Sequence, residues 1–446
     1  MDREEFEQIV ERLRHSLESH DLNQALEILD EVRPADQADI VSELESPDQV
    51  NLLINLEPSE SADVLEEMED EDAWALAQLI PPSELADILE EMETDEAVDV
   101  LAELPPDHAS DVLEQMETPT DDLVKLMTYP GYTAGGLMTT TVITLLPQWT
   151  VNEAITQIRN VGRRSDTTHY LYVINKKSEL LGVVSLKDLV SSSAETVISD
   201  IMETQTVTIN VATDQEECVR IFAHYGYLSF PVVDDSNIFL GAITADDVLE
   251  VAEDEATEDM FRMAGISGDE KVFGPTRISI LKRLPWLVIN LVTIFIAISV
   301  IDVFENVIAG LVILAVFLPV VSGEGGNAGT QTATIIVRGI ALGEVSTGDM
   351  RKALTKEILV SLLNGALIGI ITGGAVYAWK GDSRIALAIC LAMVVNFLVA
   401  AIAGVLIPLG LKKLNTDPAI SAAAFVTAFT DTFGFLLFLG FAALLV

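Results

Sequence analysis

Five apolar runs follow one another toward the C-terminus, at 284–303, 307–337, 358–379, 385–411 and 422–446. No other feature of the chain constrains its fold so tightly. A helix crossing the hydrocarbon core needs about 20 mostly apolar residues. One such run could be the buried helix of a soluble domain. Five in succession predict a transmembrane domain of five spans. Flanking cations set the orientation. Arg277, Lys282 and Arg283 precede the first run, Arg338, Arg351, Lys352 and Lys356 lie between the second and third, and Lys412 and Lys413 between the fourth and fifth. Only Lys380 and Arg384 flank the runs on the opposite side. This bias puts the preceding part of the chain in the cytoplasm and the C-terminus outside, as an odd number of spans requires. The expected location is the cell (inner) membrane.

The remainder has the opposite character. Of 70 acidic residues 61 lie in the first 270 positions, with 13 of the 25 Lys and Arg, a balance of -48 against +3 for 271–446. A nucleic-acid binder carries a basic footprint, so that class is excluded. Aliphatic residues recur too often through the acidic part for a disordered chain. The N-terminus lacks a basic stretch followed by an apolar one, so no signal peptide is expected. Cys218 and Cys390 lie in opposite halves without zinc spacing, which excludes a disulfide framework.

The acidic part contains two repeat systems. Pro34, Pro58, Pro82 and Pro106 recur every 24 residues within PADQADIVSELE, PSESADVLEEME, PSELADILEEME and PDHASDVLEQME. Proline suits the first turn of a helix, and acids beside it favour the positive end of the dipole. Each unit reads as two short helices, with Ala86, Ile88 and Leu89 turned to the neighbouring unit. The result is an N-terminal helical solenoid over 1–130. Its aligned repeats array carboxylates outward, and a scaffold role is the plainer alternative.

Strands and helices replace this pattern over 131–252, duplicated once. LMTTTVITLLPQWTVNEAITQIRN is echoed by IMETQTVTINVATDQEECVRIFAHYG, and YLYVIN…LLGVVSLKDLV by LSFPVVDD…FLGAITADDVL, aligning Met138 with Met202 and Gly182 with Gly241. These runs, each with Gly-h-h-Ser/Thr-x-x-Asp, resemble a tandem CBS pair, with repeats at 131–199 and 200–252. The resemblance implies a pseudo-dimer and a place for adenine nucleotide, ATP among them, at Ser185, Asp188 and Thr244. Asp188 and Asp247 also begin helices, so capping is the other reading. Residues 253–276 then form a connecting helix toward the membrane, in which Ala256, Met260 and Met263 fall near helical spacing while Glu255, Glu258 and Asp259 occupy other faces. It is either a lever or a passive linker.

Polar groups inside the spans are the functional candidates, because hydrocarbon penalises them. After Pro319, glycines 323, 325, 326 and 329 are expected to break or kink the second span and let backbones approach, while Glu324, Asn327 and Gln331 supply oxygens. In the fifth span Asp431 stands in FVTAFTDTFGFLLF. A lone charge there costs at least about 2.5–3.5 kcal/mol. Either it is a protonated carboxyl bonded to a neighbouring Thr, or it is a cation ligand lining a pore.

Helical repeats, two CBS repeats, an acidic connecting helix and spans carrying P-x3-G-x-GGN-x-G-x-Q and TDPA…TDxxG resemble, over essentially the whole chain, the MgtE family of bacterial magnesium channels. The resemblance implies a multidomain α and α/β homodimer. Its pore would lie on the two-fold axis, with Asp431 holding the ion and Gly325, Gly326, Asn327, Gln331 and Thr427 lining the path. It further implies that intracellular Mg2+ shuts the pore by binding carboxylates, for which Glu91, Asp95, Asp214, Glu216, Asp247, Glu255, Glu258 and Asp259 are the candidates. Magnesium is hard, keeps several waters and takes one or two carboxylates, which suits a pair of Asp431 side chains. The rival account of the acidity is solubility, or adaptation to a salty cytoplasm. No nucleophile motif, P-loop or zinc-ligand set occurs, so the chain is not expected to be an enzyme. A less selective Co2+ or Mn2+ carrier, or a CBS-regulated nucleotide sensor in the membrane, are the alternatives.

Overall fold

The structure, a computed structural model, describes residues 3–117, 120–161, 169–266, 270, 272, 274–414, 416–419 and 422–445. It divides into two compact units, Met1–Val251 and Ala252–Val446.

The first unit opens with helices α1 (Arg3–Glu18), α2 (Leu22–Asp30), α3 (Pro34–Ser42), α4 (Ser46–Leu53), α5 (Pro58–Glu66), α6 (Asp70–Ala77), α7 (Pro82–Leu89), α8 (Thr94–Glu103), α9 (Pro106–Gln115) and α10 (Asp121–Leu126). The repeat prolines begin α3, α5, α7 and α9. At that position the missing N–H has no partner to lose. These four helices stack in series, and α4, α6 and α8 stack beside them. Corresponding positions are buried in successive repeats: Ala38, Ile40 and Val41, then Ala62, Val64 and Leu65, then Ala86, Ile88 and Leu89. One repeat alone could not bury this face, so each depends on its neighbours.

Two three-stranded sheets follow in the same unit. The first contains β1 (Thr144–Leu145), β2 (Tyr170–Ile174) and β3 (Leu180–Ser185), accompanied by α11 (Val151–Val161), α12 (Leu186–Ser191) and α13 (Ile198–Ile201). The second contains β4 (Ile209–Asn210), β5 (Ser229–Val233) and β6 (Phe239–Thr244), with α14 (Gln215–Tyr225) and α15 (Ala245–Ala264). In each the first pair is parallel and the second antiparallel, with Gly182 opposite Val173 and Gly241 opposite Val232. A Cβ at Gly182 would lie 2.5 Å from the Glu203 carbonyl oxygen, and one at Gly241 2.4 Å from that of Thr139. The aligned glycines therefore admit a crossing backbone. Between the sheets Tyr172 hydrogen-bonds Ser229 at 2.5 Å and stacks on Phe239 at 4.9 Å.

The second unit holds α16 (Thr276–Val303), α17 (Glu305–Gly310), α18 (Ile313–Ala341), α19 (Met350–Lys380), α20 (Ser383–Lys413) and α21 (Ala422–Leu445). Four of these, α16, α19, α20 and α21, are long and apolar enough to cross a membrane. The 29 residues of α18 match them in length but carry the glycine-rich polar stretch.

Three sequence expectations need correction here. The run 307–337 is not one helix: α17 ends at Gly310 and α18 begins at Ile313. The glycines do not break α18, which is helical through Ala341. Hydrocarbon leaves no water to satisfy a broken backbone, so the helix persists and small residues are used for close packing. The connecting helix does not start near 253, and residues 267–269, 271 and 273 of the expected 253–276 lie outside the described residues. It is the continuation of the last CBS helix, α15, and it stops at Ala264 before Gly265, whose φ of +75 suits glycine.

A stripe of Gly365, Gly369 and Gly373 on α19 lets α20 approach, since Cβ atoms there would meet Phe397, Cys390 and Ala386 at 2.9 Å. Gly369→Leu is expected to destabilise the detergent-solubilised protein by about 1–3 kcal/mol in thermal unfolding. Gly374→Leu, which faces open space, should leave the transition unmoved.

Candidate functional site

In the second unit Asp431 is half-buried on α21, and its Oδ1 accepts a hydrogen bond of 2.5 Å from the Ser322 hydroxyl on α18. Of the two sequence readings, the one with a threonine partner is not met by Thr430, which is buried and donates to the carbonyls of Val426 and Thr427 on its own helix. Close packing sets the pair in place. A Cβ at Gly329 would meet Val426 at 2.5 Å, and one at Gly326 would contact Thr427 at 3.6 Å. Gly325 and Gly326 are buried and Thr427 is half-buried, whereas Asn327 and Gln331 are exposed on α18. With Gly323 and Thr334 they form one polar stripe along that helix.

Near the start of α19, Glu357 is buried and accepts from the Thr332 hydroxyl at 3.3 Å, with Lys356 3.2 Å from its other oxygen. Arg262, at the end of α15, pairs with both Glu258 and Asp417. Met263 beside it packs on a cluster of Ala333, Val337, Ala403, Ala419 and Val426. Sequence reasoning missed Ser322, Glu357, Arg262 and Asp417 as partners, although the TDPA motif contains the last of them.

The first unit has an acidic cluster around α8. Thr94 opens that helix, and its hydroxyl accepts from the Thr140 backbone N–H at 2.7 Å. This ties the helix to the segment leading into β1 and buries the next residue, Asp95, whose Oδ1 has no hydrogen-bond partner among the described residues. Burial, then the charges of Asp247, Glu93 and Glu96, hold the Asp95 carboxyl well above the usual range. Glu96 is pushed up to about 9 by burial and by Asp99, Asp247, Glu250 and Asp70. Asp99 rises to about 7 through burial, Asp70, Glu250 and Glu103, but it keeps a solvent-exposed edge where water screens the effect. Asp247 is raised mainly by burial, against the lowering effect of the Thr244 hydroxyl that bonds it. Carboxyls gathered this way favour a proton or a cation among them. Among the described residues no three or more Asp, Glu, His or Cys side chains converge into a complete metal site. A magnesium ion that keeps most of its waters does not require one.

Of the sequence candidates, the structure thus brings Asp95 and Asp247 together. Glu91 stands exposed beyond α7 and is not among the main charges acting on Asp95. Asp214 caps α14, accepting from the Glu216 N–H at 3.1 Å, while Glu216 pairs with Arg220 at 3.2 Å. Ser185 caps α12, accepting from the Asp188 N–H at 3.1 Å and donating to its carboxylate at 2.6 Å. At α15 only half of that arrangement recurs: the Asp247 carboxylate accepts from the Thr244 hydroxyl and from the Thr244 backbone N–H, the latter at 3.2 Å. Glu255, Glu258 and Asp259 are half-buried along α15.

Residues 318–441 match the divalent cation transporter domain of MgtE, 32–131 the MgtE intracellular N domain, and 134–195 and 198–254 the CBS domain. The chain is 34% identical over 327 residues to the magnesium transporter MgtE of Thermus thermophilus, covering 73% of this chain and 72% of that protein. It is 31% identical over 317 residues to the magnesium transporter MgtE of Bacillus subtilis, covering 71% and 70%. The first unit is similar to the soluble part of a magnesium transporter, with a TM-score of 0.52 at 30% identity over 56% of this chain and 99% of that one. It is also similar to the cytosolic domain of the Mg2+ channel MgtE solved in complex with ATP, with a TM-score of 0.52 at 30% identity over 54% and 99%.

Proposed function

The chain belongs to the MgtE family of magnesium transporters, and from that premise we propose that it passes hydrated Mg2+ through a dimer-axis pore at Asp431. The observation that carries this reading is the Ser322–Asp431 pair beside the polar stripe of Asn327 and Gln331. Such a stripe cannot face hydrocarbon cheaply. A second copy across a two-fold axis would cover it, enclose water and present two Asp431 carboxylates to one ion. Backbone and amide oxygens near Gly325, Gly326, Asn327, Gln331 and Thr427 would bond the waters that magnesium keeps. In this arrangement α18 is the fifth span, the first unit lies in the cytoplasm and the C-terminus outside. The membrane potential then drives entry with about 2.3 kcal/mol per charge for each 100 mV.

The cytoplasmic carboxylates are the regulator. Without Mg2+ the cluster of Asp95, Glu96 and Asp247 repels itself, and bound Mg2+ relieves that repulsion. A ligand preferring one state shifts the equilibrium by its differential affinity. At the other end of α15, Glu255, Glu258 and Asp259 lie where a second ion could fix the helix near the α20–α21 segment that holds Asp417. The division 1–130, 131–199, 200–252, 253–276 and 277–446 follows these roles. Ser185, Asp188 and Thr244 are the proposed nucleotide contacts, as the relative solved with ATP suggests.

Reconstitution in liposomes with an internal magnesium dye tests transport directly: inward flux dependent on the protein is expected, and its absence overturns the reading. Limited proteolysis tests regulation. Cleavage within α15 should slow as Mg2+ rises through the millimolar range, and a variant with Glu255→Gln, Glu258→Gln and Asp259→Asn should need several-fold more Mg2+. Equal cleavage at all concentrations would remove the sensor role.

A further inference from the structure

Asn396 lies wholly buried within α20 and touches both helices that carry the Ser322–Asp431 pair. Its Nδ2 donates to the Val321 carbonyl at 3.0 Å, one residue before Ser322 on α18. Hypothetical Cβ atoms at Gly325 on α18 and Gly434 on α21 would lie 2.0 and 2.8 Å from the same nitrogen. Both glycines therefore make room for this amide. Its Oδ1 is buried without a hydrogen-bond partner among the described residues. Turning the amide over would set two acceptors against each other at Val321, so its orientation follows from chemistry. Leaving such an acceptor unmade costs about 1–3 kcal/mol. A leucine of similar size would fill the space without that cost, so packing does not account for the amide.

We propose that Asn396 is a positioning residue for the transport site. By holding the Val321 carbonyl and wedging against Gly325 and Gly434, it fixes the separation of Ser322 from Asp431 and hence the grip of the carboxylate on a divalent ion. The inference rests on the reading that Asp431 holds the transported ion. The role is indirect, because Asn396 acts through α18 and α21 and the ion itself meets Asp431.

The test is uptake by the full-length protein in liposomes as a function of Mg2+, with Co2+ as competitor. The variants are Asn396→Leu and the double variant Asn396→Ala/Gly325→Ala, whose added methyl takes up vacated space. Both remove the donor to Val321. The half-saturating Mg2+ concentration is expected to rise about tenfold, the scale of one lost hydrogen bond, with a smaller preference for Mg2+ over Co2+. A residue that only packs would change the amount of folded protein while half-saturation and competition stayed at wild-type values. That result in either folded variant overturns the proposal. Asp431→Ala in the same assay distinguishes the two levels. If it transports like wild type, the site itself is misassigned and the role of Asn396 falls with it. If it is inactive while the Asn396 variants saturate normally, only the positioning role falls.

Discussion

Asp431→Ala is expected to lower magnesium uptake at least about a hundredfold, because it removes the full negative charge that the proposed site offers to the ion. Two unit charges 4 Å apart attract by about 4 kcal/mol at an effective dielectric constant of 20, and a divalent ion doubles that. Even after most of it is offset by the ion's reluctance to shed water, a few kcal/mol remain, and each 1.36 kcal/mol is tenfold in rate. Asp431→Asn keeps the shape and can still accept from Ser322, so it isolates charge from packing and should be as inactive. Ser322→Ala removes one neutral partner and should cost within about tenfold. The helices meet through Val426, Gly329, Gly325 and Gly434, so thermal unfolding in detergent should be unchanged by any of these. Growth of a transport-deficient host at low magnesium reads the same quantity. Rescue by both Asp431 variants would remove the residue from the pore.

The parts of this fold legible in the sequence are those with a repeating or periodic signal. The 24-residue recurrence of Pro34, Pro58, Pro82 and Pro106 sets the helix starts, and burial at Ala86, Ile88 and Leu89 follows it. The aligned Gly182 and Gly241 mark equivalent registers in the two sheets. Glycine was misleading in α18, because the same residue that breaks a helix in water permits close contact in a bundle. The sequence carries no stop between β6 and the connecting helix, so the continuity of α15 from Ala245 was hidden by a change of composition. Ser322 and Asn396 were illegible because tertiary packing alone pairs them with Asp431 and Val321. Within the solenoid, the repeat position that is exposed as Glu71 is buried as Asp95. The contact of Thr94 with Thr140 lies beside Asp95, and no repeat pattern contains it.

That buried cluster should also show the second large effect. Glu96 and Asp99 hold their protons to about 9 and about 7 when folded, against 4.5 and 3.8 for ordinary carboxyls. The metal-free folded protein thus binds protons that the unfolded chain has released, and its stability falls as pH rises. The loss begins near pH 4, and it is complete for Asp99 above about 7 and for Glu96 above about 9. Taking a third of the Glu96 displacement as realised gives about 2 kcal/mol at pH 9. Magnesium competes with those protons for the same carboxylates, so the stabilisation it confers should grow between pH 5 and 9. Asp95→Asn, Glu96→Gln and Asp247→Asn together remove the repulsion permanently. In scanning calorimetry at pH 8 the metal-free triple variant should melt several degrees above wild type, at about 2–4 °C per kcal/mol for a unit of this size. Its melting temperature should respond clearly less to added Mg2+ than that of wild type, while Glu91→Gln, at an exposed position, should behave as wild type. A triple variant that melts lower than wild type, or that keeps the full response to Mg2+, would show that these carboxylates are held by packing and do not serve as the ion sensor.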